Sequence, residues 1–247
     1  MNRNALRIGD ALTWLALLGG PLSAVAALLA GPAYRGSLLS LGGAFLVLRW
    51  ATFAAMAGAG MAVLALGLLW LGGARRGRVL AAAAFAVNAL VATPPLYLYN
   101  QAQSLPKIHD ISTDTQDPPA FVAVLPLRQG ARNPVDYRPE TAAQQRLGYP
   151  DIAPLLLGVP PAQAFERAER AARAMGWQLV AAAPDALRIE ATDTTLLFGF
   201  QDDVVIRIRP NGQGSVVDVR SLSRIGGSDI GTNARRVRRF LDRLASS

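Results

Sequence analysis

The stretch "DDVVIRIRPNGQGSVVDVRS", residues 202–221, decides what kind of domain follows the apolar half of this chain. Hydrophobic and polar residues alternate on both sides of Asn211-Gly212. That pair favours a two-residue type I′ hairpin turn, because both central positions need φ > 0. A loop at 211–212 sets Val204 opposite Val219 and Ile206 opposite Val217 on one face. On the other face it sets Asp203 opposite Arg220 and Val205 opposite Asp218. The apolar face is continuous across both strands, and a one-residue slip would destroy it. Adjacent strand residues point apart, so Asp202 and Asp203 make no shared-proton pair. A hairpin carrying an exposed Asp203–Arg220 ion pair is expected.

Working outward, "PPAQAFERAERAARAMGW" (160–177) begins on proline and closes on Gly176, as helices tend to. Trp177–Ala183 and Leu187–Thr192 read as strands joined by the turn "APDA". The alternation of Leu196, Phe198 and Phe200 suggests a further strand. Downstream, Ser228 is a fair N-cap for a helix carrying Ile230, Ala234, Val237, Leu241 and Leu244 at helical spacing. This order predicts an α+β domain whose antiparallel sheet packs its helices on one face. Residues 100–160 are rich in proline and without sustained period, yet hold Phe121, Val124 and Leu155–Leu157. They read as an ordered arm wrapped on the domain, with a short helix beginning near Pro118.

The other half is different in kind. Ala11–Ala30, Ala51–Gly72 and Val79–Tyr97 are each long and apolar enough to cross a hydrocarbon core of ~30 Å. The first is too long for the apolar core of a secretory signal peptide, roughly 7–15 residues, and is read as a retained span. Ala54, Gly58 and Ala62 form a small-residue row that permits close helix approach. Residues 37–48, ahead of Arg49-Trp50, are too short to cross separately and read as a helix lying in the interface. The fold class expected is therefore α+β: a three-helix transmembrane region at 1–99, then a small antiparallel-sheet domain with flanking helices at 100–247.

Charge orients the anchor. Residues 1–99 carry seven arginines against one acid, Asp10. Arg3, Arg7, Arg75, Arg76 and Arg78 share one side of a three-span arrangement, and Arg35 and Arg49 the other. The positive-inside rule makes the richer side cytoplasmic. That places residues 100–247 outside the cytoplasm, in the periplasm of a bacterium with an inner membrane. The lipid bilayer is then a partner. Nucleic acid is not expected, despite a net charge of +8.

Chemistry is harder to read. No cysteine is present, which excludes disulfides, thiol nucleophiles and zinc fingers. The single histidine, His109, sits in "IHDISTDTQDPPAF" (108–121) with Asp110, Asp114 and Asp117. A serine-type hydrolase would have to pair His109 with Ser112, Ser223 or Ser228, and no GxSxG elbow is present. His109, Asp110 and Asp114, joined by Asp202 and Asp203, offer an imidazole and hard oxygens for a metal. The competing reading is an ordered turn whose side chains cap backbone amides. Arg235, Arg236, Arg238, Arg239 and Arg243 line the last helix, either as a solvated face or as a contact for anionic lipid.

"IHDISTD" with "PPAF", then "YPDI", "DDVVIRI" and "RSLSRIGGSDIGTNARRVRRFL" together resemble the domain-of-unknown-function family 1499, over about residues 104–244. The resemblance implies N-terminal membrane spans in many members and brings no established activity. It places His109, Asp110, Asp202, Asp203, Arg220, Ser223, Arg224, Gly226, Ser228, Asp229, Gly231 and Asn233 within signature motifs.

The candidate binding set is His109, Asp110, Asp114, Asp203, Arg220, Ser223, Arg224, Ser228, Asp229 and Asn233. No catalytic residue is assigned, no cofactor is expected, and metal binding stays open. The expected function is a membrane protein presenting a binding or assembly domain, with anionic lipid or an envelope protein as partner. The alternative is a metal-dependent envelope hydrolase using His109 and nearby aspartates. If the two polar motifs form one site, His109 or Asp110 should lie beside Arg220, Arg224 or Asp229.

Overall fold

A computed structural model describes residues 3–246. The chain divides into two compact units between Gln101 and Ala102.

The first unit holds three helices long and apolar enough to span a membrane: α1 (Arg3–Arg35), α2 (Leu41–Leu71) and α3 (Arg75–Ser104). Small residues set the packing. Ala16, Ala62 and Ala84 are fully buried against one another. The buried row on α2 is Ala51, Ala55, Gly58, Ala62 and Ala65, so Ala55 takes the place expected of Ala54, which faces outward. That row follows the 3.6-residue period rather than a strict four. Asn88 of α3 donates to the carbonyls of Ala16 (2.8 Å) and Ala84 (2.9 Å). A Cβ on Gly58 would collide with its amide, which explains a glycine there.

Two boundaries differ from expectation. The separate surface helix expected over 37–48 is absent: residues 36–40 form the connection, and α2 starts at Leu41 with Ser40 as its N-cap (Gly43 N–H to Oγ, 3.1 Å). An apolar face at helical spacing fits the first turns of a long helix as well as a short one lying flat. The third helix also runs on past the expected end at Tyr97 to Ser104, with Pro94-Pro95 inside it. Prolines are tolerated within membrane helices when neighbouring groups re-satisfy the freed carbonyls.

The second unit is an antiparallel sheet with helices, as the alternation predicts. Its strands are β1 (Asp110–Ser112), β2 (Leu155–Leu157), β3 (Gln178–Ala183), β4 (Arg188–Thr194), β5 (Gln201–Asn211) and β6 (Gly214–Ser223). Its helices are α4 (Pro139–Gly148), α5 (Pro161–Ala174) and α6 (Thr232–Ala245), with a 3-10 turn at Leu125–Arg128. The sheet order is β1-β6-β5-β4-β3, and β2 pairs with β6 as well. Because β5 occupies one edge of β6, the short β1 and β2 share the other.

The hairpin register is shifted by two from the expected one. The loop is Gly212-Gln213, so Asn211 pairs with Gly214, Ile206 with Val219 and Val205 with Arg220. Only Gly212 of the two loop residues has positive φ (59°), the signature of a type II′ turn with glycine first. A two-residue shift preserves which side chains share a face and changes only their partners. Asp203 therefore opposes Leu222, and the expected Asp203–Arg220 pair does not form. Gly214 is required too, since a Cβ there would meet the Leu157 carbonyl of β2.

Both faces of the sheet are covered, where one was expected. The apolar face, with Val204, Ile206, Ile208, Val217 and Val219, packs α5 and α6 through Phe165, Ala168, Ala172, Val237 and Phe240. Trp177 stacks on Phe240 at 5.3 Å. The arm covers the other face, where Phe121 and Val124 pack on Val205 and Leu222. No helix begins at Pro118. The arm's ordered pieces are β1, the 3-10 turn, α4 and β2. Residues 195–200 form the turn between β4 and β5, not a further strand.

Candidate functional site

The face beneath the arm is polar and buried, and ion pairs neutralise it. Asp203 is fully buried. Arg128, Arg224 (2.8 and 2.9 Å) and the Thr192 hydroxyl (2.7 Å) donate to its carboxylate. Burial pushes the Asp203 carboxyl up, but Arg224, Thr192 and Arg128 together hold it below the ordinary aspartate value. Glu190, also buried, accepts the amides of Val122, Ala123 and Val124 (3.0–3.1 Å) and Nε of Arg188 (3.0 Å). This carboxylate fastens the arm to the sheet.

Arg220 is the hinge between the two motifs. Its guanidinium grips Asp110 through two bonds (3.0 and 2.7 Å) and lies between the rings of Phe121 (5.0 Å) and Tyr137 (5.3 Å). It also donates to the carbonyls of Pro119 and Val135. Burial pushes the Asp110 carboxyl up, against the pull of Arg220. Burial and the Asp110 charge raise the Tyr137 phenol as well.

On the helix-covered face, β1 is sewn to the loop before α6. The His109 carbonyl accepts the Ser223 amide (2.9 Å) and Nδ2 of Asn233 (2.9 Å), and the Asp229 amide donates to the Ile108 carbonyl (3.1 Å). Asn233 Oδ1 accepts from the Ser221 hydroxyl (2.8 Å) and from Arg236, while its Nδ2 also reaches Oγ of Ser223 (3.0 Å). Asp229 accepts the amides of Gly231 and Asn233, and burial raises its carboxyl. The N-cap of α6 is Gly231 at φ 71°, not Ser228. Ser228 Oγ only accepts the Ile230 amide at 3.3 Å. Asp229 does the capping, because its longer reach satisfies the amides of α6's first turn.

The structure thus brings together His109, Asp110, Arg220, Ser223, Asp229 and Asn233 at the β1–β6 edge, and Asp203 with Arg224 further along the same sheet. Asp114 stands apart. Its Oδ1 accepts the amides of Gln116 (3.1 Å) and Asp117 (2.9 Å), and its Oδ2 meets Arg207 and Arg209 (both 3.3 Å). The stretch 108–121 is therefore a strand followed by a capped turn. The aspartates offered as metal ligands are separately committed: Asp110 to Arg220, Asp114 to Arg207 and Arg209, Asp202 to Arg236, and Asp203 to Arg128 and Arg224. Among the described residues, no three His, Asp or Glu side chains gather as metal ligands. The hydroxyls of Ser112, Ser223 and Ser228 bond other groups, and none of those bonds reaches the imidazole.

What remains open is a cleft of about 440 Å³ beside β1. Lys107, His109, Asp136, Arg138, Glu140 and Gln144 are among the side chains that line it. Nδ1 of His109 is buried without a hydrogen-bond partner. Asn133, also in the lining, is fixed by donating to the carbonyls of Ser223 (3.0 Å) and Gly226 (2.9 Å). Most of these residues belong to the arm and escaped the sequence reading. The only signal for them was the charge and amide density of "NPVDYRPETAAQQ" inside a proline-rich stretch. The cleft's volume suits a small ligand, and its mixed charges suit a polar one.

A family model described as "Protein of unknown function (DUF1499)" matches residues 110–244. No match to a curated protein accompanies it.

Proposed function

This chain belongs to the family described as protein of unknown function (DUF1499), and on that premise we propose that it is a membrane-anchored binding module. Its three apolar helices anchor it, and its sheet domain works outside the cytoplasm, in the periplasm of a bacterial cell. The ligand is a small polar group, free or carried by an envelope component, held in the cleft beside His109. One observation carries the reading: the buried carboxylates at the β1–β6 edge and along the arm are tied to arginines or backbone amides, whereas the cleft next to them keeps Lys107, Asp136 and Arg138 on an open wall. Neutralised pairs fix a surface in place, and an open set of mixed charges is what recognises a polar ligand. Binding is favoured over hydrolysis because the hydroxyls of Ser112, Ser223 and Ser228 bond groups other than the imidazole and Asp110, Asp114, Asp202 and Asp203 are already paired with arginines.

The direct test is a thermal-shift screen of the detergent-purified full chain against amino acids, short peptides, disaccharides and glycerol phosphate. At least one of these probes is expected to raise the melting temperature. Arg138→Ala should weaken that probe about tenfold or more, since a hydrogen bond to a charged group contributes about 1.5–3 kcal/mol. A full panel without effect, or equal shifts in wild type and Arg138→Ala, would reject the cleft.

The topology has its own test. The arginine asymmetry supports a cytoplasmic N-terminus, and three spans then carry the sheet domain across. A phosphatase fused after α6 is expected to be active, and a reporter that folds only in the cytoplasm to be silent there. The opposite pair of results would reverse the orientation.

A further inference from the structure

The turn between β4 and β5 reads "TTLLFGF" (194–200), whose alternation of Leu196, Phe198 and Phe200 imitates a strand. It is instead a closed, apolar projection. The Thr195 amide donates to the Phe200 carbonyl (2.8 Å), the Gly199 amide to the Thr195 carbonyl (2.9 Å), and the Phe200 amide to the Thr195 hydroxyl (2.9 Å). Gly199, at φ 66°, closes the loop. Phe198 and Phe200 stack at 5.2 Å. Above this frame Leu196 is 91% exposed and Leu197 39%. Water is a poor neighbour for two leucines exposed on one hydrogen-bonded turn.

The sheet register says where this projection points. Thr194 pairs with Gln201, Asp202 with Ser223, and Leu222 with Asp110. The turn therefore lies at the end of the sheet where β1 enters, the end the chain reaches on leaving α3. From Tyr99, five more helical residues add roughly 8 Å and six extended ones at most ~20 Å. This end is thus the one joined by a short tether to α3, whose length and apolar composition suit a bilayer. Its surface charge fits the same neighbour. No acid lies between Thr194 and Gln201. The Arg224 amide donates to the Gln201 carbonyl, and the Arg132 amide to the Arg224 carbonyl, so the exposed Arg132 stands close to the turn. Lys107, also exposed, precedes β1 at the same end.

We propose that the turn 194–200, with Arg132 close by and Lys107 at the same end of the sheet, inserts its leucines into the surface of an anionic bilayer and docks the sheet domain on the membrane. The apolar tip enters the region of the acyl-chain ends nearest the headgroups, and the two cations meet lipid phosphates. This goes beyond anchoring by α1–α3, because it fixes which end of the sheet domain touches lipid.

The chain has no cysteine, so single-cysteine variants accept one label each. Leu196→Cys and Leu156→Cys carry a nitroxide in the full chain, reconstituted in vesicles of phosphatidylethanolamine and phosphatidylglycerol. Leu156 is a matched control, 66% exposed but on β2, opposite Val216 near the far end of β6. Oxygen, which concentrates in lipid, is expected to relax the label at 196 severalfold more than a water-soluble nickel chelate does, and the label at 156 should show the reverse preference. Adding Leu197→Asp should return the label at 196 to the behaviour of the one at 156. Equal preference for nickel at both positions would overturn the proposal, as would a label at 196 unmoved by Leu197→Asp. Spin–spin broadening at 196 without oxygen preference would overturn it in favour of contact between two copies of the chain.

Discussion

Arg220→Ala is expected to lower the stability of the sheet domain by roughly 3–5 kcal/mol, the usual consequence of removing one partner of a buried ion pair. The guanidinium is 4% exposed, with Asp110, two carbonyls and two aromatic rings around it. Its loss leaves the Asp110 carboxylate without its cation in a place that already penalises charge. Thermal denaturation of the purified full chain measures the effect. The double variant Asp110→Leu with Arg220→Met should recover much of it, because well-packed apolar groups often replace a buried pair without loss. A change below about 1 kcal/mol in the single variant, the worth of an exposed pair, would show that water reaches this site.

Glu190→Ala is expected to cost about 3 kcal/mol or more and to loosen the arm selectively. Three amides, those of Val122, Ala123 and Val124, lose their charged acceptor together; that of Val124 is buried, and a buried donor left unpaired costs about 1–3 kcal/mol. Phe121 and Val124 then lose their hold on Val205 and Leu222. Limited proteolysis should cut between residues 119 and 135 far sooner than in the wild type. Glu190→Gln, though matched in size, should not rescue this fully, because its amide nitrogen would face backbone donors. Unchanged cleavage in Glu190→Ala would show that apolar packing alone holds the arm.

These two residues also mark where the sequence stopped being informative. Helical and strand periods identified α1–α3, α5, β3–β6 and α6, because each buries one continuous apolar face or span. Glu190, Thr192, Asp203, Asp218 and Arg220 alternate with apolar residues and so read as a wetted face. Alternation reports polarity, and a buried ion-pair lattice has the same polarity as a surface in water. The arm was legible only as ordered, since three-residue strands such as β1 and β2 are too short to show a period. The register was missed because Asn211-Gly212 and Gly212-Gln213 both satisfy a two-residue turn through the same glycine. The meeting of His109 and Asp110 with the Arg220–Asn233 stretch was foreseen as a condition for one site. The cleft residues of the arm were not, because their grouping depends on how a proline-rich chain folds back.

The double occupancy of β6 has a consequence for how the domain comes into being. Strand β1 pairs Asp110 with Leu222, and β2 pairs Leu157 with Ser215, so the first half of the domain completes nothing by itself. Its partner strand is made only after α5, β3, β4 and β5. Contacts this distant in sequence slow folding, because a long loop must close before any of them form. Residues 105–160 must therefore wait until the β5–β6 hairpin arrives as a template. During that wait their apolar segments, Phe121 to Leu127 and Leu155 to Leu157, have no core to enter. The interval between synthesis of the arm and synthesis of β6 is the period in which this chain is most exposed to proteases and to aggregation.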